Sequence, residues 1–266
     1  MKVGVTGASG FIGRALCVAS LKAGHEVVAI DARAGEIPAV DALVHLAGIA
    51  SSRAPRKELD AVNVGLAVRT ARAAAAIGCS FIFVSSIKVH GDSAQSPVRE
   101  TSPIVPAGAY AMSKARAEEA LCAIAGLRLA VLRPPLVYGP MVKANLFFLM
   151  GAIARGIPLP LASVTNRRSF IYVGNLVAAL LRSLGAEGTF LVSDGEALST
   201  PQICAALGDA LGRAPRLFAF PPSLLPANLR NSMEIDDTLF RRSFGWQPPF
   251  SIEDGIAETA RWYRSR

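Results

Sequence analysis

In the first half of the chain, short runs of apolar and often β-branched residues alternate with longer stretches in which apolar positions recur every three or four residues. A short apolar run bounded by turn-forming residues reads as a strand buried on both faces, and the longer spacing reads as a helix with one apolar side. The pattern predicts strands over 3–5, 26–30, 42–46, 80–85 and 129–133, and helices over 12–23, 60–76 and 110–125. Each predicted helix ends close to a glycine (Gly24, Gly78, Gly126) that can adopt the left-handed terminal conformation. Strands and helices in this order imply an α/β fold, a Rossmann-type doubly wound parallel sheet.

The alternation weakens after Tyr138-Gly139-Pro140, where proline-rich pieces such as 157–160, 221–222 and 248–249 interrupt shorter elements. The expected organisation is a dinucleotide-binding domain over 1–140, with 165–195 packing back on it, and a small C-terminal lobe over 141–266 that is mainly substrate-binding. Composition supports a well-buried core, since 52% of residues are hydrophobic and 18% charged. There is no long uncharged apolar run and no signal-peptide layout after Met1-Lys2, so a cytoplasmic protein without a membrane partner is expected. The four cysteines (Cys17, Cys79, Cys122, Cys204) are scattered without metal-ligand spacing and read as reduced thiols, and no metal site is expected.

Lys and Arg outnumber Asp and Glu by 28 to 20, a formal charge of +8 that favours an anionic partner. The charges are dispersed, with no basic run, zinc-finger spacing or aromatic RNA-binding signature. A phosphorylated small molecule therefore accounts for them better than nucleic acid does.

The residues 6–13, TGASGFIG, follow the first strand and open the first helix. Gly7, Gly10 and Gly13 allow a tight turn, a close backbone approach to a pyrophosphate and close helix-strand packing, while the helix N-terminus attracts negative charge. Acidic Asp31 closes the second strand about 20 residues further on, where it would accept from ribose hydroxyls and favour NAD. Arg33, two residues beyond, could neutralise a 2′-phosphate and keeps NADP open. Tyr110 and Lys114 stand one helical turn apart, so an ammonium group can draw a tyrosine towards its phenolate. Ser85 and Ser86 end the strand at 80–85, where a hydroxyl can hold a substrate carbonyl for proton transfer.

Together these segments resemble extended short-chain dehydrogenases/reductases, the NAD-dependent epimerase/dehydratase family. The likeness is carried by TGASGFIG, DALVHLAG at 41–48, FVSSIKVHG at 83–91, YAMSK at 110–114 and LRPPLVYGP at 132–140, and it continues in NRRSFIYVGNLVAAL at 166–180 and FGWQPPFSIEDGI at 244–256. It is greatest to bacterial polysaccharide enzymes that reduce or epimerise UDP-N-acetyl-hexosamines. The resemblance implies Ser86, Tyr110 and Lys114 as the catalytic set, with Ser85 the alternative serine. It also implies that Phe11, Ile12, Leu46, Ala47, Gly48, Ser85 and Pro134 line the cofactor groove beside the glycines, Tyr110 and Lys114. Arg168 and Asn145 would meet the nucleotide diphosphate, and Asn63 would be structural or peripheral to the site. A homodimer is implied, paired through the helix bearing Tyr110 and its neighbour. The implied reaction is hydride transfer at C4 of a nucleotide sugar. Reduction of a UDP-4-keto-6-deoxy-N-acetylhexosamine leads, 4-epimerisation is the alternative, and a non-catalytic dinucleotide-binding redox sensor is the reading of another class.

Two departures stand out. Only 32–40 separate Asp31 from the DALVHLAG segment, where relatives carry a third strand and its helices, so one wall of the adenine pocket is absent or improvised from Gly35-Glu36-Ile37-Pro38. His90 replaces a tyrosine usual in its turn and reads as a shape residue at the cleft.

Overall fold

The computed structural model describes residues 1–34, 36–51, 54–92, 97–143 and 145–266. Strand β1 (Lys2–Thr6) pairs in parallel with β2 (Glu26–Ile30) on one side and β3 (Ala42–His45) on the other. The sheet continues through β4 (Ser80–Val84), β5 (Arg128–Arg133) and β8 (Gly188–Leu191), giving the all-parallel order β2-β1-β3-β4-β5-β8. Because the chain leaves β1 for β2 in one direction and returns to β3 on the other side, a crevice opens at the C-terminal ends of β1 and β3, where ligands of such sheets bind.

Alternate residues of each strand face opposite layers. Val3, Val5, Val44, Ile82 and Leu132 pack under helices α1 (Phe11–Lys22) and α6 (Val173–Arg182). Leu43, Phe81, Phe83 and Val131 pack under α3 (Ala67–Ala76) and α4 (Gly108–Cys122). The predicted helix at 60–76 starts earlier, as α2 (Arg56–Leu59), and passes through a wide π-helical turn at Asp60–Leu66 before becoming α3. The turn places Asn63, 1% exposed, inside the protein.

The fold class expected from the sequence is the one found, including the loss of the third strand. Between β2 and β3 the described residues form neither helix nor strand, and β2 is left at the edge of the sheet. A smaller sheet of β6 (Leu136–Tyr138), β7 (Arg168–Tyr172) and β9 (Ala197–Leu198) carries the C-terminal part. Helices α5 (Asn145–Arg155), α7 (Thr200–Leu211) and α8 (Ile252–Arg264) pack with it around Tyr138, Met150, Leu207 and Ile256. Helices α7 and α8 both begin at reciprocal capping boxes, Ser199 with Gln202 and Ser251 with Asp254. No helix among the described residues is long and apolar enough to cross a membrane. All four cysteines are free, and Cys122 at the end of α4 is exposed.

Candidate active site

The crevice is bounded by the glycine turn and by Leu46-Ala47-Gly48. Gly7 takes φ +67°, a region that disfavours side chains, and a Cβ there would lie 2.9 Å from the Ala47 nitrogen. A Cβ on Gly13 would meet the Gly7 carbonyl oxygen at 2.2 Å, so helix α1 comes as close to the turn as glycine alone permits. Helix α1 begins after Gly10 with neither a side-chain cap nor an acidic residue in its first turn among the described residues. Its amide groups and positive end are thus available to an anion. This cradle, in which side chains would fill the space, fits the pyrophosphate of a dinucleotide, with Phe11 and Ile12 half-buried at the start of the helix.

The two rims are tied by one hydroxyl. Thr6 Oγ1 accepts from the amides of Leu46 at 3.1 Å and Ala47 at 3.2 Å. With both lone pairs used, its own proton goes to His45 Nδ1, 3.1 Å away. That arrangement puts the imidazole hydrogen of His45 on Nε2, which is buried without a hydrogen-bond partner among the described residues. Burial among Phe81 and Phe83, with the positive charge of Lys114 nearby, lowers its pKa to about 3. At the far end of β2, exposed Asp31 accepts from the Arg33 amide at 2.9 Å, and Arg33 points into solvent.

At the other end of the crevice, the Ser85 amide donates to Leu132 and the Ile87 amide to Pro134, both carbonyls of the neighbouring chain segment. Ser85 Oγ is buried without a hydrogen-bond partner among the described residues. Ser86 caps the single turn Ile87–His90 and accepts from the Lys88 amide. Helix α4 brings Tyr110, half-buried in its first turn, to the Ser86 hydroxyl. Burial raises the phenol's pKa, and the hydrogen bond with Ser86 opposes the rise. Ser86 and Tyr110 are thus brought together.

Lys114 follows one turn later and is 8% exposed. Its ammonium donates to the Val84 carbonyl at 2.8 Å and sits 4.6 Å from the Phe83 ring centre. Burial brings its pKa down to about 8, against the opposing charge of Glu118. This differs from the expectation of an ammonium group stabilising the phenolate: the charge is directed at a backbone carbonyl and an aromatic face, and Tyr110 keeps its proton.

Asn63 ties the opposite rim to the helix that carries this lysine. Its Oδ1 accepts from the Ile49 amide at 2.7 Å, and its Nδ2 donates to the Ile49 carbonyl and to Ser113 Oγ. Ser113 in turn donates to the Tyr110 carbonyl. The side-chain amide therefore joins the rim after Gly48 to the helix carrying Tyr110 and Lys114.

His90, 3% exposed, is a strut inside the protein. Its Nδ1–H donates to the Pro103 carbonyl and its Nε2 accepts from Arg133, which also forks onto Glu118. Burial lowers its pKa, consistent with the neutral form this bonding requires. Arg168 does not face the crevice freely: it is half-buried, and its Nη1 donates to the Asn231 carbonyl at 2.9 Å. Asn145 is exposed at the first residue of α5. Gly35, named for the adenine side, lies outside the described residues. Sequence reasoning missed Thr6, His45, Ser113 and the Glu118–Arg133 pair. One available signal was a carboxylate four residues past Lys114 on an apolar helix face.

The model of the family described as NAD dependent epimerase/dehydratase matches residues 3–190. A UDP-glucose 4-epimerase of Vibrio cholerae is 34% identical over 223 residues, covering 75% of this chain and 68% of the relative. One of Mycolicibacterium smegmatis is 29% identical over 314 residues, covering 100% of this chain and 99% of the relative. Among solved structures, the Thermus thermophilus UDP-glucose 4-epimerase in complex with NAD superposes with a TM-score of 0.82 at 25% identity, covering 99% of each chain. The glycine cradle, the paired serine and tyrosine and the family match agree, and the chain belongs to the NAD dependent epimerase/dehydratase family.

Proposed function

We propose that this NAD-dependent enzyme acts at C4 of a nucleotide sugar, and that its reaction is reduction of a UDP-4-keto-6-deoxy-N-acetylhexosamine in surface-polysaccharide synthesis. The observation that carries the reading is that Ser86 and Tyr110 come together after β4, in a fold whose glycine turn after β1 is shaped for an anion. The relatives' names, both UDP-glucose 4-epimerases, support the nucleotide sugar.

The bound dinucleotide supplies or accepts the hydride. Ser86 holds the sugar oxygen, and Tyr110 gives it a proton in the reducing direction. A phenol kept protonated by burial suits a donor. Lys114, beside Gly48, would hold the nicotinamide ribose. The orphaned Ser85 hydroxyl is a further donor for the cofactor. Asn145 and Arg168 are assigned to the diphosphate, for which Arg168 exchanges its Asn231 carbonyl. NADP remains an alternative through Arg33.

A 4-epimerase would use the same residues and is favoured by the relatives' names. A non-catalytic sensor would have no need of the serine, tyrosine and lysine together. Tyr110→Phe is expected to lower turnover by about a hundredfold or more with the fold intact. Near wild-type activity rejects the assignment. Keto-sugar-dependent oxidation of NAD(P)H identifies a reductase, substrate turnover without cofactor consumption an epimerase, and cofactor binding without UDP-sugar binding a sensor. Pairing of two chains through α3 and α4 is part of the proposal, to be checked by sedimentation.

A further inference from the structure

We infer that this protein holds its dinucleotide loosely at the adenosine end and exchanges it with the free pool in every catalytic cycle. The inference rests on the reading that the crevice binds a nicotinamide dinucleotide, and it addresses which of the two reactions the site serves.

An acidic residue closing the second strand meets the adenosine ribose, so residues just beyond that point lie close to the adenine. Here that residue is Asp31, at the end of the edge strand β2. No strand lies outside β2 among the described residues. The chain turns at once, with the Ala34 amide donating to the Asp31 carbonyl at 3.1 Å.

The apolar side chains of the crossing that follows are committed elsewhere. Ala32 and Val40 are 7% and 9% exposed, and Ile37 packs against the cluster containing Ile30, Leu43 and Phe81. Val40 also comes within 3.3 Å of the space above Gly4 on β1. These residues seal the lower layer of the sheet in place of a helix. What faces outward is Arg33, Ala34, Glu36, Pro38 and Ala39, all exposed. Glu36 and Pro38 stand on the solvent side with no strand beyond β2 among the described residues to back them, and Arg69 bonds the Ala32 carbonyl.

The pyrophosphate end is close-packed and the adenosine end is not. Leaving about 100 Å² of adenine uncovered weakens binding roughly fiftyfold relative to a site that covers it. An epimerase returns its hydride to the substrate and gains from keeping one dinucleotide captive. A reductase passes the hydride from NAD(P)H to the carbonyl carbon while a proton goes to the oxygen. It is left with oxidised dinucleotide, which must leave before the next reduced molecule enters. The open end suits the second case.

The test uses the purified full chain. After desalting, the protein is denatured and the released nucleotide measured; far less than one NAD or NADP per chain is expected. Calorimetry with NADH and NADPH should give a dissociation constant in the micromolar range, and bound NADH should be displaced by excess NAD within about a second. Stoichiometric nucleotide that survives desalting, or nanomolar binding with slow displacement, overturns the inference and leaves the dinucleotide reading standing. Failure to bind any of the four forms overturns both.

Discussion

The hydroxyl of Thr6 and Nδ1 of His45 share one proton across 3.1 Å, and that contact fixes both rims of the crevice. Thr6 accepts from Leu46 and Ala47, so its own hydrogen is what remains to meet the imidazole nitrogen. Protonating His45 would place two hydrogens against each other in a buried site. The pKa of His45 is depressed in the folded protein, from 6.5 to about 3. The unfolded chain therefore binds a proton that the folded chain refuses, and stability falls as pH drops through that interval. It is fully retained above pH 6.5. The contribution to the slope is at most about 1.4 kcal/mol per pH unit. Urea denaturation between pH 7 and 4 should show a shallower loss for His45→Asn than for the parent; equal slopes refute the claim that folding holds His45 neutral.

The Glu118–Arg133 pair is a second buried network whose removal has a definite sign. Glu118 and Arg133 are 7% and 6% exposed, and Arg133 also holds His90. Glu118→Ala leaves a guanidinium without its countercharge and should destabilise the protein by about 3–5 kcal/mol. Replacing both by apolar residues, as in Glu118→Leu with Arg133→Met, should recover much of the loss. Denaturant midpoints for the single and double variants decide between charge and shape.

Asn63 is tested by a nearly isosteric change. Asn63→Asp keeps the acceptor for the Ile49 amide but removes the donor to the Ile49 carbonyl and Ser113, setting a negative charge against both oxygens. Each unsatisfied group costs about 1–3 kcal/mol. Because the lost bonds join the Gly48 rim to the helix of Tyr110, dinucleotide affinity should fall together with stability. A variant that loses stability but binds NADH with parental affinity would confine Asn63 to folding.

What was legible in the sequence was what repeats or must be glycine. The apolar runs of β1, β3, β4 and β5 are largely buried on both faces, so they stood out without knowledge of their partners. Gly7, Gly10 and Gly13 stood out because the turn excludes side chains. The spacing of Tyr110 and Lys114 put both on one helix, but not the direction of the ammonium, which the Val84 carbonyl claims across the sheet. His45 was read as part of an apolar strand because its partner, Thr6, comes from a strand that is adjacent only after folding. Strands β6 and β9, three and two residues long, are too short for a period to register. Arg168 and Asn145 were placed by resemblance, and the bond of Arg168 to Asn231 depends on a distant loop that no local pattern encodes.

The lysine that the sequence assigned to tuning the phenol makes its own prediction. Lys114 has a pKa of about 8 because burial penalises its charge, whereas burial holds Tyr110 above the ordinary phenol range. On raising the pH, the ammonium loses its proton first. Below pH 8 it is charged and can hold a ribose hydroxyl as a donor; above pH 8 that capacity declines while Tyr110 is still protonated. The pH profile of kcat/KM should therefore fall on an alkaline limb near pH 8. In Lys114→Arg, whose guanidinium does not lose its proton in this range, the limb should move upward even though the rate is lower. An alkaline limb that remains near pH 8 in Lys114→Arg would assign it to another group and return the tuning role to Tyr110 itself.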